Sequence, residues 1–150
     1  MKILRILERK IKKLISPFYP NYRGHQRRSK QRKPSYRVNS INRIMLSMVN
    51  KERRKRGLGP VVFDKSLESH AIRWSNHMAS QRELSHSGTI LENCCMVPSS
   101  RSSHTITRRM FYCWKSSPPH WAWMMNSSIR YAALGYANRG RYAYGAYAFR

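Results

Sequence analysis

Half of the net positive charge of this chain sits in its first quarter, and that placement decides which part can fold. Residues 1–37 carry thirteen Lys and Arg against one acid, a net +12, and residues 38–150 carry seventeen against five, another +12. A formal charge of +24 on 150 residues repels cations and draws in phosphate polyanions or an anionic lipid surface. The first 37 residues lack the apolar content of a core, whereas the remainder, with all four Trp and most of the Tyr, has enough large side chains for one packed domain. The sequence thus divides into a basic amphipathic helix over residues 1–16, a basic flexible linker over 17–38 and a folded domain over 39–150.

In the arm, Ile3, Leu4, Leu7, Ile11, Leu14 and Ile15 form one helical stripe, with Arg5, Glu8, Arg9, Lys12 and Lys13 over much of the opposite side, until Ser16-Pro17 ends it. Such a helix suits an anionic membrane surface, which makes residues 2–15 a candidate peripheral anchor. Docking on its own domain or on a second copy satisfies the same stripe. The linker has Pro17, Pro20, Gly24 and Pro34 among Arg27, Arg28, Lys30, Arg32, Lys33 and Arg37, a composition that contacts nucleic-acid phosphates without reading sequence. No uninterrupted apolar run offers a signal peptide or a spanning helix. Cys94, Cys95 and Cys113 are odd in number and two are adjacent, so no disulfide framework is indicated and a reducing, cytoplasmic setting is expected.

The domain begins with a helix capped at Asn39 or Ser40, its apolar face made by Ile41, Ile44, Met45, Met48 and Val49, its last turn made cationic by Arg53 to Arg56, and its end at Gly57. After the short apolar connection Leu58–Phe63, Asp64 or Ser66 caps a second helix on which Leu67, Ala71, Trp74 and Met78 line one buried stripe. His70 and His77, seven residues apart beside that stripe, read as packing residues. Residues 96–107, rich in Ser and Thr, read as a loop before a helix from about Thr107 to Lys115. The block Trp121, Trp123, Met124 and Met125 reads as core, with a lipid-binding lip as the competing reading. Tyr131–Ala137 and Arg141–Phe149 alternate aromatic with small residues around Asn138-Arg139-Gly140, the pattern of a hairpin whose Ala and Gly positions let helices approach.

Between these elements lie the residues with chemistry to offer. His86 and Glu92 occupy the stretch Leu84–Asn93, and His120 follows Ser117-Pro118-Pro119. In a chain with six acids, a glutamate between two histidine-bearing turns stands out, because imidazole and carboxylate are groups that ligate a divalent ion such as Zn²⁺ or move protons near neutral pH. Three such ligands suit an open site. On residue types alone, His86 as a turn residue, His120 at a helix start and Glu92 as a cap are the favoured explanation of the pattern.

The order of landmarks narrows this. Asn50 and Arg53, Gly57-Leu58-Gly59-Pro60, Phe63-Asp64, Leu67, Ala71, Trp74, Met78-Ala79, His86, Glu92-Asn93, Trp114, Ser117-Pro118-Pro119-His120 and Leu134-Gly135-Tyr136-Ala137 together resemble the CAP superfamily (cysteine-rich secretory, antigen 5 and pathogenesis-related 1 proteins, also called the SCP domain), in its short prokaryotic form, over about residues 40–150. The resemblance implies an α/β (α+β) fold, a three-layer α-β-α sandwich, here with a basic N-terminal helical extension. It also implies a cleft in which His86 matches the first histidine, Glu92 the glutamate of a Glu-Asn motif and His120 the second histidine. Longer relatives have a further glutamate shortly after the tryptophan; here Lys115, Ser116 and Ser117 follow Trp114, so paired-carboxylate chemistry is not expected. The disulfides of secreted eukaryotic members are absent too.

The expectation is therefore a CAP-like domain whose His86/Glu92/His120 cleft takes Zn²⁺ or another divalent cation and a small or lipidic ligand, steered by a basic arm. Ser85 and Ser87 have no convincing base partner, and a thiolate at Cys94 or Cys95 is disfavoured by Glu92, so an enzyme is not the first expectation. A cleft hydrolase or peptidase using His86, Glu92 and His120, and a nucleic-acid-binding basic protein, are the alternatives.

Overall fold

A computed structural model describes residues 38–150; the amphipathic stripe of residues 2–15 and the basic linker up to residue 37 lie outside the described residues. Four helices and four strands follow in the order α1 (Ser40–Lys55), β1 (Val62–Phe63), α2 (Lys65–Gln81), β2 (Leu91–Pro98), α3 (Ser103–Lys115), α4 (Pro118–Met124), β3 (Tyr131–Arg139) and β4 (Tyr142–Phe149). The strands form one sheet in the order β1-β3-β4-β2, with β1 parallel to β3 and the other pairs antiparallel.

Helices cover both faces of the sheet. On one side Leu67, Ala71, Met78 and Ala79 of α2 pack on Phe63, Cys94, Ala133, Tyr144, Ala146 and Ala148. On the other, Met45 and Val49 of α1, Ile106, Met110, Phe111 and Trp114 of α3, and Trp123 and Met124 of α4 pack on the opposite set of strand residues, among them Leu91, Cys95, Val97, Leu134, Tyr147 and Phe149. Successive strand side chains point to opposite faces, so β2, β3 and β4 each feed both cores. This is the expected three-layer sandwich. Trp123 and Met124 are buried in it, and Trp121 and Met125 pack partly buried against it.

Local chemistry explains the element ends. The Asn39 side chain accepts from Asn42 N and caps α1, while Asp64 accepts from Leu67 N and Ser66 Oγ and caps α2. The α1 terminus departs from its reading as a row of dipole-facing cations. Arg53 is fully buried, and its guanidinium donates to the carbonyls of Gly59 (2.7 Å), Met124 (2.9 Å), Asn126 (2.9 Å) and Ile129 (3.3 Å). A charge out of water must be hydrogen-bonded; here four carbonyls do it and tie α1 to the segment that leads from α4 into β3.

Two further differences have simple causes. Residues 91–98 form a strand, although Leu-Glu-Asn-Cys-Cys-Met-Val-Pro shows no polar alternation, because both faces of β2 are covered for most of its length. Helix α3 starts at Ser103, about four residues earlier than expected: the Ser102 side chain accepts from Thr105 N and begins the helix inside the polar stretch.

Candidate functional site

The candidate site forms where the loop between α2 and β2 folds back on the edge strand. Trp74 Nε1 donates to Ser85 O (2.9 Å) and holds the loop against α2. Gly88 turns the chain with φ +70°, a conformation open to glycine, and Ser87 N then donates to Glu92 Oε1 at 2.6 Å. Glu92 is wholly buried, and its Oε2 lies 2.8 Å from His70 Nε2 on α2. A buried carboxylate needs such partners on both oxygens. Helix, loop and strand therefore meet on one side chain.

Strand alternation selects the next ligand. Cys94, two residues after Glu92, shares its face of the sheet, and ligand atoms of His86, Glu92 and Cys94 all lie within 4.8 Å of one another. Burial, and after it the Glu92 charge, pushes the Cys94 thiol far above the usual range. His86 is partly exposed; burial lowers its pKa and the Glu92 carboxylate acts against that.

His120 stands in the first turn of α4. Ser117, at the N-cap of that helix, makes no capping bond to the backbone; its Oγ lies 2.8 Å from His120 Nδ1 instead. Asn93, whose side chain points to the face opposite Glu92, donates from Nδ2 to the His120 carbonyl at 3.0 Å and joins α4 to β2. Burial lowers the His120 pKa, and the proximity of His86 lowers it further. Both shifts favour the neutral imidazole, whose free lone pair is what a metal ligand or general base requires.

His86 and Glu92, two of the three residues picked out in the sequence, are joined in one donor group by Cys94, and His120 is near enough to His86 for the charge to be felt. His70 and Cys94 were not picked out as site residues. His70 touches Glu92, unlike His77, which is exposed and stacks on Trp74 with ring centroids 4.6 Å apart. Its signal was the four-residue spacing to Trp74 on the helix side that meets the loop; that of Cys94 was its two-residue spacing from Glu92, visible only once residues 91–98 are known to be a strand.

Chemically, an imidazole nitrogen, a carboxylate oxygen and a thiol sulfur within a few ångströms form a mixed donor set of the kind Zn²⁺ accepts, and a His–carboxylate contact behind it is the usual support for such ligands.

The family model of the CAP family, described as the cysteine-rich secretory protein family, matches residues 46–149. Similar solved structures include an extracellular protein containing an SCP domain from Bacillus anthracis, with 16% identity over 75% of this chain and 41% of that one and a TM-score of 0.54. Another is an outer surface protein from Borrelia burgdorferi, with 16% identity over 72% of this chain and 90% of that one and a TM-score of 0.53. The chain therefore spans less than half of the Bacillus protein. At this identity the likeness is one of fold. No curated protein matches. Among the described residues no helix is long and apolar enough to cross a membrane.

Proposed function

The chain belongs to the cysteine-rich secretory protein (CAP) family, and from that premise we propose that it is a binding domain whose cleft holds a divalent cation, Zn²⁺ first, on His86, Glu92 and Cys94, with His120 beside them. The observation that carries this reading is the convergence of the three donor types within 4.8 Å. Binding would draw the proton from Cys94, since the thiolate is the ligand, and would leave room for a small or lipidic ligand. The N-terminal arm, with half of the net charge, would steer the domain to an anionic surface: lipid headgroups through residues 2–15, or nucleic-acid phosphate through the linker. The three free thiols support a reducing, cytoplasmic setting.

Metal analysis of purified protein after zinc loading and dialysis tests the cleft. Near-stoichiometric zinc in the wild type, lost in His86→Ala, is the expected result, and a Co²⁺-loaded sample should show a thiolate charge-transfer band that Cys94→Ser removes. Zinc retained equally by all three proteins refutes the assignment. For the arm, full-length protein should sediment with phosphatidylserine vesicles and the 38–150 fragment should not. Steeply salt-dependent nucleic-acid binding by the fragment alone would favour the nucleic-acid reading.

A second reading, hydrolysis, is favoured by the Ser117 Oγ–His120 Nδ1 contact of 2.8 Å, the geometry of a nucleophile and its base. It requires turnover of an ester or peptide substrate that both Ser117→Ala and His120→Ala abolish; absence of turnover across a broad substrate panel removes it.

A further inference from the structure

The charge of the domain is unevenly spread. After Glu92 the chain carries eight Lys and Arg and no acid. Lys115 and Arg150 reach back to the carboxylates of Glu52 and Asp64, whereas among the described residues Arg101, Arg108, Arg109 and Arg141 make no ion pair. These four gather where α3 and the turn between β3 and β4 meet the far end of β2. Pro98 is six residues along that strand from Glu92, about 20 Å at the rise of a strand, so this surface is separate from the His/Glu donor group.

Two open grooves adjoin there. Val97, Pro98, Thr105, Arg108, Arg109 and Tyr112 line the first, of about 650 Å³; Ser99, Ser100, Arg101, Asn138 and Arg141 line the second, of about 620 Å³. Arg109 joins them, since its Nη1 donates to Pro98 O at 2.9 Å and to Ser99 O at 3.0 Å. Ser99 fixes the second groove: its N donates to Arg141 O and its Oγ to Asn138 Oδ1, both at 2.8 Å. Tyr112 is 51% exposed beside the first groove, with the Arg108 guanidinium 5.7 Å from its ring centre.

We propose that this joined groove binds single-stranded nucleic acid, with Arg101, Arg108 and Arg141 on its phosphates and one base stacked on Tyr112. Charge selects the occupant. A phosphate polyanion complements four arginines, whereas a second copy of this chain, at +24, or its own first 37 residues, at +12, would be repelled. The aromatic ring selects the form of the polyanion: an exposed tyrosine in a groove offers a stacking face to an unpaired base, which a duplex keeps inside its own stack. Arginines on phosphate and a tyrosine under a base carry no base code, so the binding tolerates any sequence. The surface shares no residue with the zinc ligands and works whether or not an ion is held.

The test follows the fluorescence anisotropy of a labelled oligothymidine of about 15 nucleotides with full-length protein across a salt series. Arg101, Arg108 and Arg141 are exposed, and replacing all three by Ala should weaken binding about tenfold or more near about 0.1 M salt and make the log–log salt slope shallower by about 2, at roughly 0.7 per phosphate. The variant Lys51→Ala/Arg54→Ala/Arg73→Ala removes the same charge from exposed positions on α1 and α2 and should change the affinity less than about threefold. Tyr112→Ala should weaken binding about fivefold or more with the salt slope kept, and Tyr112→Phe should restore it. In the wild type, photocrosslinking to a bromouracil-substituted strand should label residues 99–112. Four results would each overturn the proposal: equal losses in the two triple variants, a duplex of the same length bound as tightly as the single strand, crosslinks confined to residues 1–37, or an arginine variant that loses phosphatidylserine vesicles but keeps the oligonucleotide, which would give the face to a membrane.

Discussion

The side-chain amide of Asn42 pairs with both backbone groups of Leu134, donating from Nδ2 to the carbonyl at 3.0 Å and accepting at Oδ1 from the amide N–H at 2.7 Å. It acts as a one-residue strand. β1 pairs with β3 only at Tyr131 and Ala132, so the edge of β3 beyond that point is completed at Leu134 by Asn42, while Ser75 Oγ of α2 donates separately to Gly135 O at 2.9 Å. Asn50 does the same one element earlier, meeting Val61 O and N at 2.9 and 2.8 Å. Helix α1 therefore docks on the sheet through two asparagines as well as through Met45 and Val49. Asn42→Ala would strand a buried donor and a buried acceptor on Leu134 and remove a partner of Glu68 Oε1. The expected loss is about 2–4 kcal/mol, read as a lower urea midpoint with an unchanged m-value.

The approach of α2 to β3 rests on Gly135. A Cβ there would lie 2.5 Å from the Ala71 carbonyl carbon, inside the backbone of α2, whereas a Cβ at Gly145 would meet the Met110 methyl at 2.7 Å. Backbone cannot yield, and a methionine thioether can. Gly135→Ala is expected to cost at least about 3 kcal/mol and Gly145→Ala about 1 kcal/mol. Thermal melts of the two variants side by side check the order; equal shifts would show that α2 moves aside freely.

Glu52 gives the domain a defined acid sensitivity. Its carboxylate meets Lys55 Nζ at 2.9 Å, Arg56 at 3.1 Å and, across from α3, Lys115 Nζ at 3.4 Å. The hydrogen bond from Lys55 leads in lowering its pKa to about 2, with Arg56 and Lys115 adding to it against the effect of burial. A folded pKa below the unfolded value means that the charged form is favoured by folding. The stabilisation is therefore complete above about pH 5 and is lost as pH falls from about 4.5 towards 2. Glu52→Gln should be less stable than wild type by about 0.5–1 kcal/mol at pH 6, with the gap closing below pH 3. Denaturation midpoints measured across that range test the sign as well as the size.

What could be read from the sequence followed from how polar and apolar residues alternate. Helices α1 and α2 were legible because one face is buried and the other wet, and the hairpin because Ala and Gly alternate with Tyr around Gly140. β2 was hidden, since a strand covered on both sides has no alternation to show. Arg53 and Asn42 were hidden for the converse reason: each is a polar residue whose partners are backbone groups far along the chain, and no local pattern announces them. The same limit applied in the cleft. His86, Glu92 and His120 were drawn together by the order of family landmarks, but Cys94 depends on the phase of β2, and His70 on which turn of α2 faces the loop.

That facing turn supports the last prediction. His70 Nε2 holds Glu92 Oε2, and Ser87 N holds Oε1, so the carboxylate is positioned from two sides before any ion arrives. If Glu92 ligates a cation, His70 serves as its outer support, and removing such a support costs about 10–100-fold in metal affinity without removing a ligand. His70→Ala should therefore weaken zinc binding by that factor in competition with a chromophoric chelator, with the thiolate band of the Co²⁺ form retained. His70→Gln, whose amide can still donate to Oε2, should recover part of the loss. Undiminished affinity in His70→Ala would mean that Glu92 is held well enough by the loop alone, and that the contact between helix and strand serves packing rather than the ion.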